Sequence, residues 1–358
     1  MSPIKWPVAA AVTLIVCGFA PVALAGHIFS FEYSGGVYTD VNPPIGPAYE
    51  YSPTVINASG TIAGMFGYGQ FNSGFLASGG NYTIINVPGA FSTSINTLTD
   101  TGIVAGNFQR TTSASHGFTY QAGQYTEINR PGALYTDVAG VNDSGTVIGG
   151  YYISGSNLGS FVESGGVFSD IAVPGGSFTS LTAINDPGEI IGEFNNGANH
   201  AEGFSYSAGQ YSIIDPPGAV NTYVTAINDA GIVAGTFYNS SNVEKGFTEF
   251  GGNYSYFNID IPGAVGSFSV SAINNSNSIV GGFFNAGQPE GYLDSAGVFT
   301  IINFPGSVYT VATDVNDAGI VVGSATGAPE PAAWAMMLVG FGGLGVAMRW
   351  RRRNPSPQ

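Results

Sequence analysis

The sequence predicts an all-β protein, a seven-bladed β-propeller, and three observations carry that prediction. First, Pro-Gly recurs at Pro88, Pro131, Pro174, Pro217, Pro262 and Pro305, in steps of 43, 43, 43, 45 and 43 residues. Second, each unit holds four short runs of aromatic and β-branched residues, punctuated by Gly, Pro and Asn about every 8 to 12 residues. Third, no body segment shows sustained helical periodicity, and 54 glycines with a charged fraction of 9% do not suit solvated helices. Seven such units, the first diverged around Pro43-Pro44-Ile45-Gly46, fit radially packed sheets whose Ile, Val and Phe meet the neighbouring blade. A β-solenoid also repeats, but usually with shorter coils.

The chain opens with a leader. Lys5 supplies a positive n-region, Ala9 to Ala20 an apolar core, and Ala23-Leu24-Ala25 a small-x-small site for signal peptidase. Residues 1–25 are therefore read as a signal peptide, with the mature chain starting near Gly26. Cys17 is the single cysteine and lies in this leader, and Val16 before it does not suit a lipoprotein site. The mature chain has no thiol, which excludes disulfides, cysteine-ligated metals and cysteine nucleophiles. Its stability must come from core packing.

The repeat domain, residues 26–327, is illustrated by its fifth unit. The strand candidates there are Gly203–Tyr206, Gln210–Ile214, Thr222–Ile227 and Ile232–Phe237. They are separated by Ala208-Gly209, Pro216-Pro217-Gly218 and Asn228-Asp229-Ala230-Gly231. An apolar residue before Asn is a second landmark, at Ile56, Val141, Ile184, Ile227, Ile273 and Val315; one unit has Leu98-Thr99 instead. A third is Gly-x-[Ile/Val]-x-Gly-x-aromatic, whose inner Gly is expected to let strands crowd a central channel.

Residues 328–358 have a different composition. Pro329-Glu330-Pro331 is followed by an apolar run from Ala332 to Met348, then Arg349, Trp350, Arg351, Arg352 and Arg353. The 17-residue run, 332–348, is at the short end of what crosses a hydrocarbon core as a helix. Its glycines are tolerated in membrane helices, Trp334 and Trp350 suit the two interfaces, and the arginines hold that end in the cytoplasm. Everything before residue 329 is then expected to face outward. The acidic motif, the span and the basic stop resemble the PEP-CTERM sorting signal of Gram-negative bacteria, including Trp334-Ala335-Met336-Met337-Leu338-Val339-Gly340-Phe341-Gly342. The resemblance implies processing by an exosortase at Pro329, Glu330 and Pro331. It also implies transient anchoring in the inner membrane and delivery to the cell surface or extracellular matrix.

Charge narrows the partners. Before the tail, Arg110, Arg130 and Lys245 are the only cations of the mature body, against 22 carboxylates, a formal −19. Such a surface repels phosphate backbones, which excludes nucleic acid, and tolerates neutral polysaccharide or cations as neighbours.

The units resemble the HAF extracellular repeats in the Asn-Asp-x-Gly turn, at Asn142, Asn185, Asn228 and Asn316. They depart at the strand start, which reads Gly-Phe at Gly74, Gly117, Gly203 and Gly246. That resemblance implies fold and location, with no chemistry.

Among residues able to carry chemistry, Asp143, Asp186, Asp229 and Asp317 repeat around the ring. Two readings apply: a ring of calcium sites, or hairpins whose Asn or Asp bonds the turn backbone ahead of a left-handed Gly. Asn57-Ala58-Ser59-Gly60 and Asn274-Asn275-Ser276-Asn277 keep the turn and lose the charge, which favours hairpins. No cofactor is expected on that reading. Phe75, Phe118, Phe204, Phe247 and Tyr292 recur as core positions, while Tyr49, Tyr51 and Tyr152 lie outside the pattern and could stack on sugars. His27, His116 and His200 show no metal spacing, and neither a Gly-x-Ser-x-Gly elbow nor a phosphate loop occurs. Glu193, Glu202 and Asp260 are the carboxylates from which a glycan-cleaving pair could be drawn, with His200 in the loop between the first two.

The sequence thus points to an exported, surface-sorted, non-enzymatic scaffold or adhesion protein of the exopolysaccharide layer. A carbohydrate-binding or carbohydrate-active propeller is the alternative.

Overall fold

The computed structural model describes residues 28–44, 50–68, 71–111, 114–154, 157–198, 200–257, 264–285 and 287–327. Residues 1–27 with Ala23 and Ala25, Tyr49, the extension Asn258-Ile259-Asp260-Ile261 and residues 328–358, with Pro329, Glu330, Pro331 and Arg349, Arg351, Arg352 and Arg353, lie outside these.

Every element among the described residues is a strand. The chain enters with β1 (Ile28–Ser34) and β2 (Val37–Asp40), then forms a first full blade of β3 (Glu50–Ile56), β4 (Ile62–Tyr68), β5 (Phe71–Ser78) and β6 (Asn81–Ile85). The second blade is β7 (Ser92–Leu98), β8 (Val104–Thr111), β9 (Ala114–Gln121) and β10 (Gln124–Ile128). The third is β11 (Tyr135–Val141), β12 (Val147–Ile153), β13 (Asn157–Ser164) and β14 (Val167–Ile171). The fourth is β15 (Thr179–Ile184), β16 (Ile190–Asn195), β17 (Ala201–Ser207) and β18 (Gln210–Ile214). The fifth is β19 (Ala219–Ile227), β20 (Val233–Asn239), β21 (Glu244–Phe250) and β22 (Asn253–Phe257). The sixth is β23 (Ala264–Ile273), β24 (Ile279–Asn285), β25 (Gln288–Ser295) and β26 (Val298–Ile302), before β27 (Ser307–Val315) and β28 (Val321–Gly327) end the ring.

These strands form seven antiparallel four-stranded sheets, a seven-bladed β-propeller. The closing blade has the order β2-β1-β28-β27, so the two ends of the domain share one sheet. Its central ladder runs from Ile28 opposite Thr326 to Tyr33 opposite Val321. The blade phase, invisible in the repeat alone, is half a unit off the sequence landmarks. Each Gly-Phe strand starts the outer half of one blade, and the Asn turn that follows belongs to the next.

Turn chemistry sets the strand ends. The outer hairpins are two-residue turns with positive φ at both positions, as at Gly35 and Gly36 (+56° and +89°), which matches the twist of the flanking strands. Each Pro-Gly among the described residues is a type II turn: at Val87-Pro88-Gly89-Ala90 the Ala90 N–H donates to the Val87 carbonyl and Gly89 has φ +78°. Hairpins between first and second strands, and between third and fourth, gather at one end of the ring, here the turn face. Connections between second and third strands, and from blade to blade, gather at the other, the loop face.

The leading aromatics are core: Phe31, Phe75, Phe118, Phe161, Phe204, Phe247 and Tyr292 are fully buried, one per blade. They explain the recurrent strand glycine, and the explanation differs from crowding at the channel. A Cβ on Gly192 would stand 2.2 Å from the Ser180 carbonyl and 2.9 Å from the Phe204 ring. The glycine is a seat for the aromatic of the adjacent strand. Opposite it, each inner strand carries a β-bulge, as between Leu181 and Ala183, which re-aims the extra residue. The bulge residue Thr313 bonds the Pro53 carbonyl of the next blade, and Asn96 the Val138 carbonyl.

Candidate functional site

The inner strands β3, β7, β11, β15, β19, β23 and β27 converge on a central recess of about 240 Å³ at the turn face, lined by the ends of all seven. The repeated Asn and Asp surround this mouth. Each Asn acts twice. Its Oδ1 accepts the N–H four residues on, closing its own hairpin, as Asn185 does from Glu189 (2.7 Å). Its Nδ2 donates to the corresponding main-chain carbonyl of the next blade: Asn142 to Asn185, Asn185 to Asn228, Asn228 to Asn274, Asn274 to Asn316, and Asn316 across the closure to Asn57. Asn57 donates to Thr99, whose hydroxyl accepts the Ile103 N–H but supplies no amide to pass on. The inner ring therefore has one gap, between the second and third blades.

The residue after Asn builds an outer ring. Its side-chain oxygen accepts a backbone N–H of the preceding blade: Asp100 from Ala58, Asp143 from Thr101, Asp186 from Asp143, Asp229 from Asp186, Asn275 from Asp229 and Asp317 from Asn275. This ring breaks at Ala58, which offers no acceptor. Because the two gaps fall at different blade junctions, every junction keeps at least one of the two links.

Electrostatics follow from this use. Burial alone would raise Asp143, but donors from Thr101, Thr99 and the Asp100 N–H outweigh it and lower its pKa. Asp186 is raised, by burial first, against the Asp143 N–H and with the charges of Asp143, Asp229 and Asp100 adding. Asn275 stands between Asp229 and Asp317 and donates to both, replacing a sixth carboxylate by a neutral bridge. Among the described residues no cluster of three or more His, Cys, Asp or Glu is placed to hold a metal ion. The turn carboxylates that the calcium reading needed are occupied as acceptors between blades.

One group breaks the symmetry. Asp314 lies where the other inner strands carry Val55, Thr97, Gly140, Ala183, Ala226 and Ala272. It accepts N–H bonds from Ile56 of the next blade (2.8 Å) and from Val315 (2.9 Å). Burial pushes its carboxyl up to about 7, those two donors opposing. Sequence reasoning missed it, although aligning the units on their Asn exposes an acid in a small-residue column.

Glu193 and Glu202 do not form a pair. Glu193 stands opposite Gly203, whereas Glu202 stands opposite Phe194, so the two carboxylates project from opposite faces of the blade. Glu202 accepts from Asn196, whose Oδ1 in turn orders the loop by accepting the His200 N–H. Glu193 is pushed up to about 7 by burial, opposed by the Val224 N–H of the next blade. Asn107 accepts the Val138 N–H at the same register two blades earlier. Glu193 is therefore a link between blades. Asp260 lies outside the described residues.

At the loop face a recess of about 380 Å³ opens between the closing and first blades, lined by Glu50, Tyr51, Phe66, Asn72, Tyr309 and Ser324, among others. Tyr51 is buried in its wall and Tyr309 is 41% exposed. Tyr152 instead meets Tyr135, ring centroids 5.6 Å apart. The three body cations are also at this face. Arg110 pairs with Glu127, and Arg130 lies 3.8 Å over the Tyr151 ring while binding Asp170 through two nitrogens.

Residues 328–353 match the PEP-CTERM protein-sorting motif. No curated protein matches the chain. Among solved structures, the β-propeller domain of the Trilobed protease from Pyrococcus furiosus is similar, with a TM-score of 0.59 and 12% identity over 78% of this chain and 92% of that one. A structure from a study of two prolyl endopeptidases reaches 0.57 at 11% identity over 76% of this chain, which spans 45% of that protein. The SapL1 lectin, solved with alpha methyl fucoside, gives 0.45 at 10% identity over 70% of this chain and 94% of that one. At these identities the likeness is one of fold. The chain is a seven-bladed β-propeller whose C-terminal residues carry a protein-sorting motif of the PEP-CTERM type.

Proposed function

We propose that this chain is an exported, exosortase-sorted surface protein whose propeller serves as a non-enzymatic scaffold or adhesion body in the exopolysaccharide layer. The observation that carries the reading is the sorting motif at residues 328–353, directly after a closed ring. The ring's most regular polar residues are engaged between blades, which suits a rigid body better than a site. On this reading residues 1–25 are removed after Ala25, and 26–327 form the displayed domain. Pro329, Glu330 and Pro331 are the processing motif, 332–348 holds the precursor in the inner membrane, and Arg349, Arg351, Arg352 and Arg353 stop it there. The loose HAF-like turn pattern supports the same location.

The test is to express the chain with a tag in the repeat domain in a host with and without its exosortase. The surface fraction and the C-terminal mass of the product are then measured. Loss of the tail in the exosortase host only, prevented by Glu330→Ala, is expected. A tail retained in both hosts would refute the sorting route.

The loop-face recess favours one second reading, glycan binding. Glu50, Asn72 and the Tyr309 ring offer the acceptor, amide and aromatic groups that a sugar needs. Saturable binding of a glycan by the displayed domain, lost in Tyr309→Ala, would select that reading over a passive scaffold.

A further inference from the structure

The two faces of the ring differ in what they expose and in how the chain leaves them. Gly327 ends β28 and Ile28 begins β1 at the loop face, side by side in the closing blade. Residues 328–331 alone separate β28 from the apolar segment that starts at Ala332. Four extended residues reach about 14 Å, about twice the headgroup layer of about 5–8 Å on each side of a bilayer core, so the tether keeps the loop face within about 10 Å of the lipid. With the tail in a membrane, the loop face is held against the lipid surface and the turn face points away.

The loop face is suited to that position. Phe71, Leu134, Leu158, Phe178, Phe284 and Val308 stand 42–63% exposed on it, distributed over five of the seven blades. Its acids are largely matched: Glu127 and Asp170 by arginines, Glu202 by Asn196, Glu244 by the Phe268 N–H, and Glu290 by Asn285 and Asn303. The turn face exposes Val37, Val167, Val298 and Phe250 at hairpin tips, beside the carboxylate ring. None of the three body cations is there, so pressing that face onto lipid would desolvate carboxylates that accept N–H bonds but have no counter-charge.

We infer that the loop face is a membrane-docking surface, seated through its exposed aromatic and aliphatic side chains on the outer leaflet of the bilayer that holds the tail. The inference rests on the anchoring proposed above. Apolar side chains entering the headgroup boundary bind by buried area and need no anionic lipid, which fits a body that is itself acidic. The propeller would lie flat on the membrane until processing releases it.

The mature chain lacks cysteine, so single cysteines report position directly. The mature chain from Gly26, reconstituted in zwitterionic phosphatidylcholine vesicles, would carry a fluorophore at Leu158→Cys or Leu134→Cys on the loop face. Val167→Cys or Val298→Cys would report from the turn face. Nitroxide-headgroup lipid should quench the loop-face labels by about half or more, given insertion of about 5–10 Å, and leave the turn-face labels bright. Combining Leu158→Cys with Phe71→Ser, Phe178→Ser and Phe284→Ser should return most of that signal. Chain that co-floats with the vesicles but shows equal quenching at both faces overturns the docking surface while leaving the anchor intact. Chain that does not co-float overturns the anchor and the inference with it.

Discussion

The double role of the turn asparagines can be separated by substitution at Asn185, which is 5% exposed. Asn185→Ala removes both bonds, and the two losses differ. The Asn228 carbonyl that receives Nδ2 also accepts the Gly231 N–H, so it keeps one partner. That loss amounts to one net hydrogen bond, about 1 kcal/mol. The Glu189 N–H has Asn185 Oδ1 as its acceptor, and stranding this half-buried donor costs about 2 kcal/mol. Asn185→Ala should therefore destabilise the ring by about 3 kcal/mol. Asn185→Thr, which copies Thr99, keeps the turn bond and drops only the link, costing about 1 kcal/mol. The reverse change, Thr99→Asn, would supply the missing amide between the second and third blades and add up to about 1 kcal/mol. Urea unfolding of the 26–327 domain reads these as shifts in midpoint at constant slope. Equal effects for Asn185→Thr and Asn185→Ala would refute the partition. No gain from Thr99→Asn would refute the role of the link between blades.

Other outcomes follow from the same structure. Asp314 and Glu193, both pushed up to about 7, bind protons more tightly folded than unfolded. Their contribution to stability is therefore present below the unfolded carboxyl pKa near 4 and is lost as pH rises towards 7. Melting at pH 5 should exceed that at pH 8, and Asp314→Asn with Glu193→Gln should flatten the difference; an unchanged profile would count against both shifts. Gly192→Ala drives a Cβ to 2.2 Å from the Ser180 carbonyl and should cost about 3 kcal/mol in a urea titration. At the hairpin tips Ala122, Ala208 and Ala296 hold positive φ, so Ala208→Gly should stabilise by about 0.5–1 kcal/mol, while Gly166→Ala should destabilise by a similar amount. Chelation should leave the melting temperature unchanged, because the turn carboxylates already accept N–H bonds; a fall restored by calcium would revive the ring of metal sites.

Much of the fold was legible because the repeat states the same local chemistry in most of its seven units. Pro-Gly turns, Gly-Phe starts and Asn turns each recur with one mechanism, and their spacing gives strand number and blade number. What the repeat could not give is phase. A sequence unit can be cut between any two strands, and only hydrogen bonding shows that β28 joins β1. The Asn-Asp pair was legible as a hairpin but not as a link, since the partner carbonyl lies some 43 residues on, in the next blade. Asp314 escaped, and Glu193 was singled out for the wrong role, for the opposite reason. Each occurs once, and its meaning depends on a backbone N–H of another blade that no local pattern announces.

The closing blade connects fold to sorting. β28 is an interior strand there, paired with β27 from Ser307–Gly327 to Val315–Val321 and with β1 from Ile28 to Tyr33. A chain anchored by its C-terminal end is loaded through that strand. Had the ring closed by laying β27 and β28 alone against the first blade, a pull on Gly327 would act on an edge ladder and peel it. Here the load is shared by two ladders and by the Asn316 amide on the Asn57 carbonyl of the first blade. On the proposed route, removal of the tail would cut the chain outside every one of these bonds. The same closure would keep the anchored precursor folded and leave a released ring complete, and substitutions that weaken the β1–β28 ladder should cause tail-dependent unfolding that disappears once the tail is gone.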